Sequence, residues 1–191
     1  SIKPFIKKKI KFDVIVGSNV ICHIPDQVNL IKNFDKVLSK NGYIIFEEPY
    51  LGSMYKKVSY DQIYDEHIYM FSVTSINKIY KSFGFKLIDA IPQNTHGGSM
   101  RYIISKNSGQ KISNRLKKIF KNEKKFNIDS FKGCKIFKNK VEKSKVNLIK
   151  KIKKMKMDGL QICGYGATSK STTILNYCKI GPRLIDCIFD T

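Results

Sequence analysis

The hydrophobic positions fall into short runs whose period changes along the chain. "FDVIVGSNVICHI" opens with a continuous apolar run, the pattern of a strand buried on both faces, and ends in a turn that carries Asn19 and His23. "PDQVNLIKNFDKVLSK" switches to helical spacing: Val28, Leu30, Ile31, Phe34, Val37 and Leu38 share a face, with Pro25 in the first turn. "NGYIIFEEPY" predicts a turn and a second buried strand, Tyr43 to Phe46, with Glu47 and Glu48 at its C-terminal end. "SYDQIYDEHIYMFS" then breaks the pattern. It scatters Asp61, Asp65, Glu66 and His67 among Tyr60, Ile63, Tyr64 and Tyr69 with neither a helical nor a strand period, and predicts a long connection. "SVTSINKIYKSFGF" predicts a helix capped by Ser72 or Thr74 and stopped by Gly84. "KLIDAIPQNTHGGSMRYIISK" predicts two strands around Gly97 and Gly98, the closing hairpin of a sheet.

Two buried strands joined by a helix imply a parallel α/β sheet, and the final pair implies an antiparallel edge. Ligands of such open sheets bind beyond the C-terminal ends of the strands. Asn19, His23, Glu47, Glu48 and the aperiodic stretch all fall there. Residues 111–157 are Lys-rich and helical, and Val141, Leu148, Ile152 and Met155 give their later part an apolar stripe, so one or two linking helices are expected. "LQICGYGATSKSTTILNYC" restarts the strand–turn–helix pattern, and "RLIDCIFDT" is a further strand ending at Asp190. The expected organisation is residues 1–108 as a partial α/β domain, 109–158 as a helical linker and 159–191 as a second α/β unit. Two strands and one helix do not close a core, and the chain lacks an initiator Met, so a fragment cut at both ends is expected.

Composition changes this picture little. The 191 residues are 42% hydrophobic, and no apolar run reaches the ~20 residues of a membrane span. The net charge of +21 raises the idea of a nucleic-acid binder. Only Arg101, Arg115 and Arg183 among the 36 basic residues are arginines, however, and Arg is the residue suited to base edges and bidentate phosphate contacts. The lysines between Lys111 and Lys156 read as solvated helix faces, so no nucleic-acid partner is expected. Five cysteines at irregular spacing, without a CxxC pair, argue against a zinc knuckle or disulfide framework and for a reducing cytoplasm. Cys163 and Cys187 lie in apolar runs and are expected in the core.

The candidate chemistry sits at the connections. His23, His67 and His96 are the three histidines, each in a turn beside polar partners. Imidazole moves protons near neutral pH. Glu66 is placed to orient His67 or raise its pKa, and Tyr64 to donate to a developing oxyanion. In "THGGSMR" the glycines permit a tight turn and Arg101 can pair with a phosphate. "GYGATSKST" is close to two phosphate loops and matches neither. Ser169 stands where a P-loop and a dinucleotide fingerprint each require Gly. Gly164 and Gly166 still allow a close turn into a helix N-terminus that can hold an anion, with Lys170 and Ser171 beside it.

Together and in this order, "NVICHIPD", "FEEPYLGSMYKKVSYDQIYDEHIYMFSVTS", "THGGSMRY" and "GYGATSKSTTILNY" resemble the S-adenosylmethionine-dependent sugar C-methyltransferases, which act on nucleotide-linked keto-deoxysugars, typically dTDP-4-keto-hexoses. The resemblance runs from Phe12 to Thr191. It implies an N-terminal zinc-binding domain, a central class I methyltransferase domain and a C-terminal Rossmann-like domain. The chain would then hold the C-terminal half of the methyltransferase sheet, the helical linker and the start of the last domain. The zinc domain, the Gly-rich loop for S-adenosyl-L-methionine and the acidic residue for its ribose would lie outside it, leaving the cofactor site incomplete. By the same resemblance His67 is the base, with Tyr64, Glu66 and His23 in the catalytic group and no metal needed for methyl transfer from a sulfonium. Asn19, His96, Arg101, Gly164, Gly166 and Lys170 are expected to bind the nucleotide sugar. The alternatives are a methyltransferase for another small acceptor, a nucleic-acid binder and a P-loop module built on Gly164 to Ser171.

Overall fold

The structure, a computed structural model, describes residues 2–190. A short helix, α1 (Lys3–Lys7), leads into β1 (Phe12–Ser18). A 3-10 turn over Ile21–His23 and α2 (Gln27–Val37) return the chain to β2 (Leu38–Pro49), parallel to β1. Asp26 caps α2, its side chain accepting from the Asn29 N–H at 2.9 Å, so Pro25 lies just ahead of the helix rather than in its first turn. β2 is longer than the apolar run suggested, because Asn41 and Gly42 continue the strand through an irregular pairing with β1 rather than forming a separate turn.

After β2 comes α3 (Leu51–Lys57), where the sequence predicted only a connection. Gly52 weakens the helical pattern of this segment, but Met54 and Tyr55 are buried and their packing holds the turn. A 3-10 turn over Tyr60–Gln62 and an irregular loop follow. In α4 (Val73–Lys81) the capping residue is Ser72, in a reciprocal box with Ser75: each hydroxyl accepts the other's N–H at 2.9 Å. β3 (Lys86–Gln93) and β4 (Ser99–Ser105) form the hairpin.

The sheet order is β1-β2-β4-β3. β4 is antiparallel to both β2 and β3, so the reversed strand is interior and the edge strand β3 runs in the direction of β1 and β2. The expected α/β sheet is present, with two parallel strands joined by a helix and an antiparallel pair closing it. The expected burial of β1 on both faces is not. Among the described residues β1 is an edge strand, one face packs toward α2, and Val16 on the other is 74% exposed.

Two helices occupy the Lys-rich region: α5 (Asn114–Phe126) and α6 (Phe131–Met157). α5 is more than a solvated linker. Leu116 is fully buried in the sheet's core beside Ile76, Leu87 and Ile104, with Ile119 and Phe120 packed on it. α6 turns Val141, Leu148 and Ile152 into a second cluster with Tyr60, Cys178 and Ile180.

The last segment forms β5 (Cys163–Tyr165), α7 (Ser169–Cys178) and β6 (Cys187–Phe189), with β5 and β6 parallel. Cys163 and Cys187 face each other across this pair, exposed and half-buried respectively, and both are free thiols. Their expected place in the core is corrected: one helix covers one face of two short strands, and the other face stays open among the described residues.

Candidate active site

The aperiodic stretch folds over the C-terminal end of the sheet, and His67 is its best-defined group. His67 Nδ1 lies 2.8 Å from the carbonyl oxygen of Gln62, and Nε2 lies 2.9 Å from the Tyr64 hydroxyl. A carbonyl only accepts, so Nδ1 carries the proton and Nε2 holds the lone pair that accepts from Tyr64. The two rings lie 4.1 Å apart between centroids, tilted by 30°. Burial holds the imidazole below its ordinary value, and the neighbouring His23 ring and Lys170 charge push the same way. The Gln62 hydrogen bond and Glu48 oppose this only in part. His67 is therefore a neutral imidazole at neutral pH, with its basic nitrogen fixed.

His23 arrives from the 3-10 turn after β1. Its ring meets that of His67 edge-on, 5.2 Å between centroids. The turn is anchored from β2: Glu48 Oε1 accepts the N–H of Val20 at 3.0 Å and of Ile21 at 2.7 Å. Asn19, just before it, has φ of 51°, a left-handed conformation that Asn tolerates better than most residues. Its N–H donates to the Glu47 carbonyl at 2.8 Å, while its Oδ1 is buried and unpartnered.

The structure sorts the remaining candidates. Glu66 is exposed, and among the described residues its carboxylate makes no hydrogen bond or ion pair. Its charge helps burial to raise the Tyr64 phenol. The orienting role expected of Glu66 belongs to the Gln62 carbonyl. His96 sits exposed at the hairpin tip with φ of 48°, and only its carbonyl reaches the site, accepting from Gln62 Nε2 at 3.1 Å. Gly98, at φ of 126°, brings that tip so close to α3 that a Cβ would lie 2.5 Å from Ser53 Oγ. Arg101 is not a free phosphate ligand. It pairs with Glu47 at 2.9 Å across β2 and β4, and Thr95 Oγ1 donates to the same carboxylate at 2.7 Å.

In the last unit Gly166 has φ of 90°, as the turn before α7 requires, and its N–H is spent on the Phe189 carbonyl at 2.7 Å. The Ser171 hydroxyl likewise donates to the Gly166 and Thr168 carbonyls. Gly164 packs against Ile188. The loop is thus largely satisfied internally. Lys170 at the start of α7 is half-buried and close enough for its charge to act on His67.

His67 borders a cavity of about 540 Å³ whose walls include Tyr60, Ile63, Phe137, Thr173 and Tyr177, with Lys138 also lining it. The first unit supplies the aperiodic stretch and α6 and α7 close the other side. The ligating atoms of Cys22, His23 and His67 all lie within 4.8 Å of one another, a donor set that suits a soft divalent metal. Proton chemistry describes it better. Both His67 nitrogens are already engaged, Nδ1 by the Gln62 carbonyl and Nε2 by the Tyr64 hydroxyl.

Two contributors escaped the sequence reading or were only half seen. Gln62 acts through its backbone carbonyl, which no side-chain pattern reveals. Glu48 is wholly buried, and its signal was present: it shares a strand face with Phe46, two residues earlier.

Residues 94–191, half of the chain, match the family described as C-methyltransferase C-terminal domain, and residues 4–90 match a methyltransferase domain. C-methyltransferase NovU of Streptomyces niveus is 24% identical over 179 residues, 93% of this chain and 43% of that protein. The chain therefore spans less than half the length of this relative. Among solved structures, N-methyltransferase NodS of Bradyrhizobium japonicum WM9, in complex with S-adenosyl-L-homocysteine, aligns with 15% identity over 50% of this chain and 46% of that one, at a TM-score of 0.36. Magnesium protoporphyrin IX methyltransferase ChlM of Synechocystis PCC 6803 aligns with 16% identity over 51% and 46%, at a TM-score of 0.39.

Proposed function

The chain belongs to the C-methyltransferase family, and we propose that it serves the C-methylation of a nucleotide-linked keto-deoxysugar with His67 as the base. The observation that carries this reading is the fixed tautomer of His67: a neutral Nε2 lone pair, paired with a phenol, at the lip of a cavity. A hydrogen on the carbon beside a ketone leaves as a proton when a base takes it and the enolate oxygen is stabilised. Nε2 of His67 takes the proton, the C–H pair moves onto the ketone oxygen, and the Tyr64 hydroxyl, released from Nε2, donates to that oxygen. That pair would then return through carbon to the methyl of a bound sulfonium donor, whose S–C bond would break with its electron pair left on a neutral thioether sulfur. His67 becomes an imidazolium beside His23.

S-adenosyl-L-methionine, when bound, supplies the methyl group as an activated sulfonium. One residue present could also serve an edge of its site: the buried, unpartnered Oδ1 of Asn19, expected from the sequence to bind the nucleotide sugar, suits a hydroxyl or ammonium donor. The aromatic walls of the cavity suit the nucleotide sugar, and Lys170 and Lys138 suit its diphosphate. The lysines of α6 are partly spent on the chain's own rings, with Lys140 Nζ 4.6 Å from the centre of Tyr55 and Lys145 Nζ 4.4 Å from that of Tyr177. We infer no nucleic-acid partner. Among the described residues no helix is long and apolar enough to cross a membrane, and the five free cysteines fit a reducing cytoplasm.

The test is an assay of the intact protein with S-adenosyl-L-methionine and a dTDP-4-keto-deoxyhexose, read by mass spectrometry. The sugar is expected to gain one CH2 unit at a carbon next to the ketone. Methylation of a different small acceptor, with the sugar untouched, would overturn the substrate class.

Two further outcomes are expected. Because the free base must be neutral and burial lowers its pKa, kcat/KM rises with pH through a midpoint below the ordinary imidazole value of 6.5 and is flat across neutrality. A midpoint above neutrality in the pH profile would contradict this. Lys170→Ala removes a positive charge from the diphosphate and from His67. It is expected to raise KM about tenfold, roughly the worth of one charge-assisted contact, and to move the acid limb to higher pH. Steady-state kinetics at several pH values read both effects.

A further inference from the structure

Glu48 is a carboxyl group in an unusual position. It is 0% exposed at the C-terminal end of β2, where an ionised group loses its hydration and needs compensation from the protein. Among the described residues it has no cationic partner: the ion pairs there are Arg101–Glu47, Lys106–Asp35, Arg115–Asp89 and Lys156–Asp186. Its neighbour Glu47 shows the ordinary solution, a partner Arg at the surface. Glu48 instead spends Oε1 on two backbone amides, those of Val20 and Ile21, which open the turn that delivers His23. Oε2 is buried and makes no hydrogen bond of normal geometry.

The groups facing this carboxylate come from several elements. Cys22, on the turn, is a thiol donor within its reach. Tyr80 on α4 and Tyr102 on β4 feel its charge, and both phenol oxygens are buried without a partner. His67, on the loop, also feels its negative charge. His23 and Lys170 disfavour a proton on His67, and Glu48 favours it. A buried negative charge without a cation is complementary to a cation that appears during reaction. When His67 takes a proton, the imidazolium forms opposite a charge already in place, which needs no reorganisation at that moment.

We propose that Glu48 is a positioning residue of this site: it fixes the turn that carries His23 and supplies the standing negative charge against which His67 becomes a cation. The inference rests on the reading of His67 as the base, and its test separates the two. Glu48→Gln keeps an oxygen for the Val20 and Ile21 amides and removes the charge. Glu48→Asp keeps the charge and shortens the reach to those amides.

The experiment is an NMR titration of the His67 imidazole in the intact protein, beside the pH profile of kcat/KM. In Glu48→Gln the His67 midpoint is expected at lower pH than in the parent, with the acid limb of kcat/KM shifted the same way. Its plateau is expected to fall about 10- to 100-fold, the range of a lost preorganised charge. Glu48→Asp is expected to keep the midpoint near the parent's while lowering kcat, because the His23 turn is looser. An unmoved His67 midpoint in Glu48→Gln overturns the proposal, whatever happens to turnover. A midpoint that moves as expected, in a protein whose His67→Asn variant turns over normally, supports the Glu48–His67 coupling and faults the base assignment instead.

Discussion

Replacing His67 with Asn in the intact protein is expected to lower methyl transfer about 10²- to 10⁴-fold, the range a positioned general base contributes, and to leave the affinity for S-adenosyl-L-methionine near that of the parent. Asn is a stringent choice. Its amide can still donate toward the Gln62 carbonyl that now holds Nδ1, so the loop keeps its inner contact. It has no nitrogen that accepts a proton at neutral pH. Tyr64→Phe is the companion variant. It keeps the ring against the imidazole, 4.1 Å between centroids, but removes the hydroxyl that Nε2 accepts from. If that hydroxyl stabilises the enolate oxygen, kcat falls about 10²- to 10³-fold, as for a lost oxyanion donor. Isothermal titration with the methyl donor and single-turnover kinetics separate binding from chemistry. Near-normal turnover in His67→Asn would remove the base assignment.

The largest effect on stability is expected at Glu123, far from the chemistry. This α5 residue is 0% exposed and accepts four hydrogen bonds, three of them at the start of α4 and one from Tyr50 ahead of α3. Oε1 accepts from the Val73 N–H at 2.7 Å and the Tyr50 hydroxyl at 2.8 Å. Oε2 accepts from the Thr74 N–H at 2.8 Å and its hydroxyl at 2.6 Å. A carboxylate at a helix N-terminus satisfies amides that lack intrahelical partners and meets the positive end of the helix dipole. Burial, with the Glu123 charge adding to it, raises the Tyr50 phenol above its ordinary range, so that hydroxyl stays a donor. Glu123→Ala leaves these donors buried and unpaired at about 1–3 kcal/mol each, offset in part by relaxation, for an expected loss of about 3–5 kcal/mol. Glu123→Gln keeps an acceptor and is expected to lose about 1–2 kcal/mol. Urea denaturation measures both. A loss below about 1 kcal/mol for Ala, within the range of ordinary surface substitutions, would contradict this account of the α5–α4 junction.

Glu123 also shows where sequence reading stopped. It lies in a lysine-rich run, and its neighbours argue for a solvated face. Only the fold reveals that α5 lies against β3 and α4 and turns this one acid inward with Leu116. The two strands, the helix between them and the hairpin were legible because their periods were clean and their caps explicit, as at Ser72. The order β1-β2-β4-β3 was not, since pairing of the hairpin's second strand with β2 depends on contacts distant in sequence. Burial was misjudged where an apolar run stood in for a core, at Val14 and Val16 on the edge strand and at Cys163 and Cys187.

At the candidate site, the convergence of His23 and His67 was readable from two polar turns at one sheet edge. The convergence of His96 was not: its carbonyl takes part and its ring does not. The exposure of Glu66 was equally hidden. An acid next to a histidine in sequence need not face it, and in an irregular loop no period says which way it points. What fixes His67 is a backbone carbonyl five residues earlier, which any residue at position 62 could present once the loop is folded.

The most direct test of the central claim leaves methyl transfer out. The intact protein is incubated with a nucleotide-linked 4-keto-deoxyhexose in deuterium oxide without the methyl donor, and deuterium at the carbons beside the ketone is followed by NMR. Proton abstraction by His67 predicts exchange at one of those carbons with the parent protein and none above background with His67→Asn. Equal exchange in the two proteins would contradict the claim.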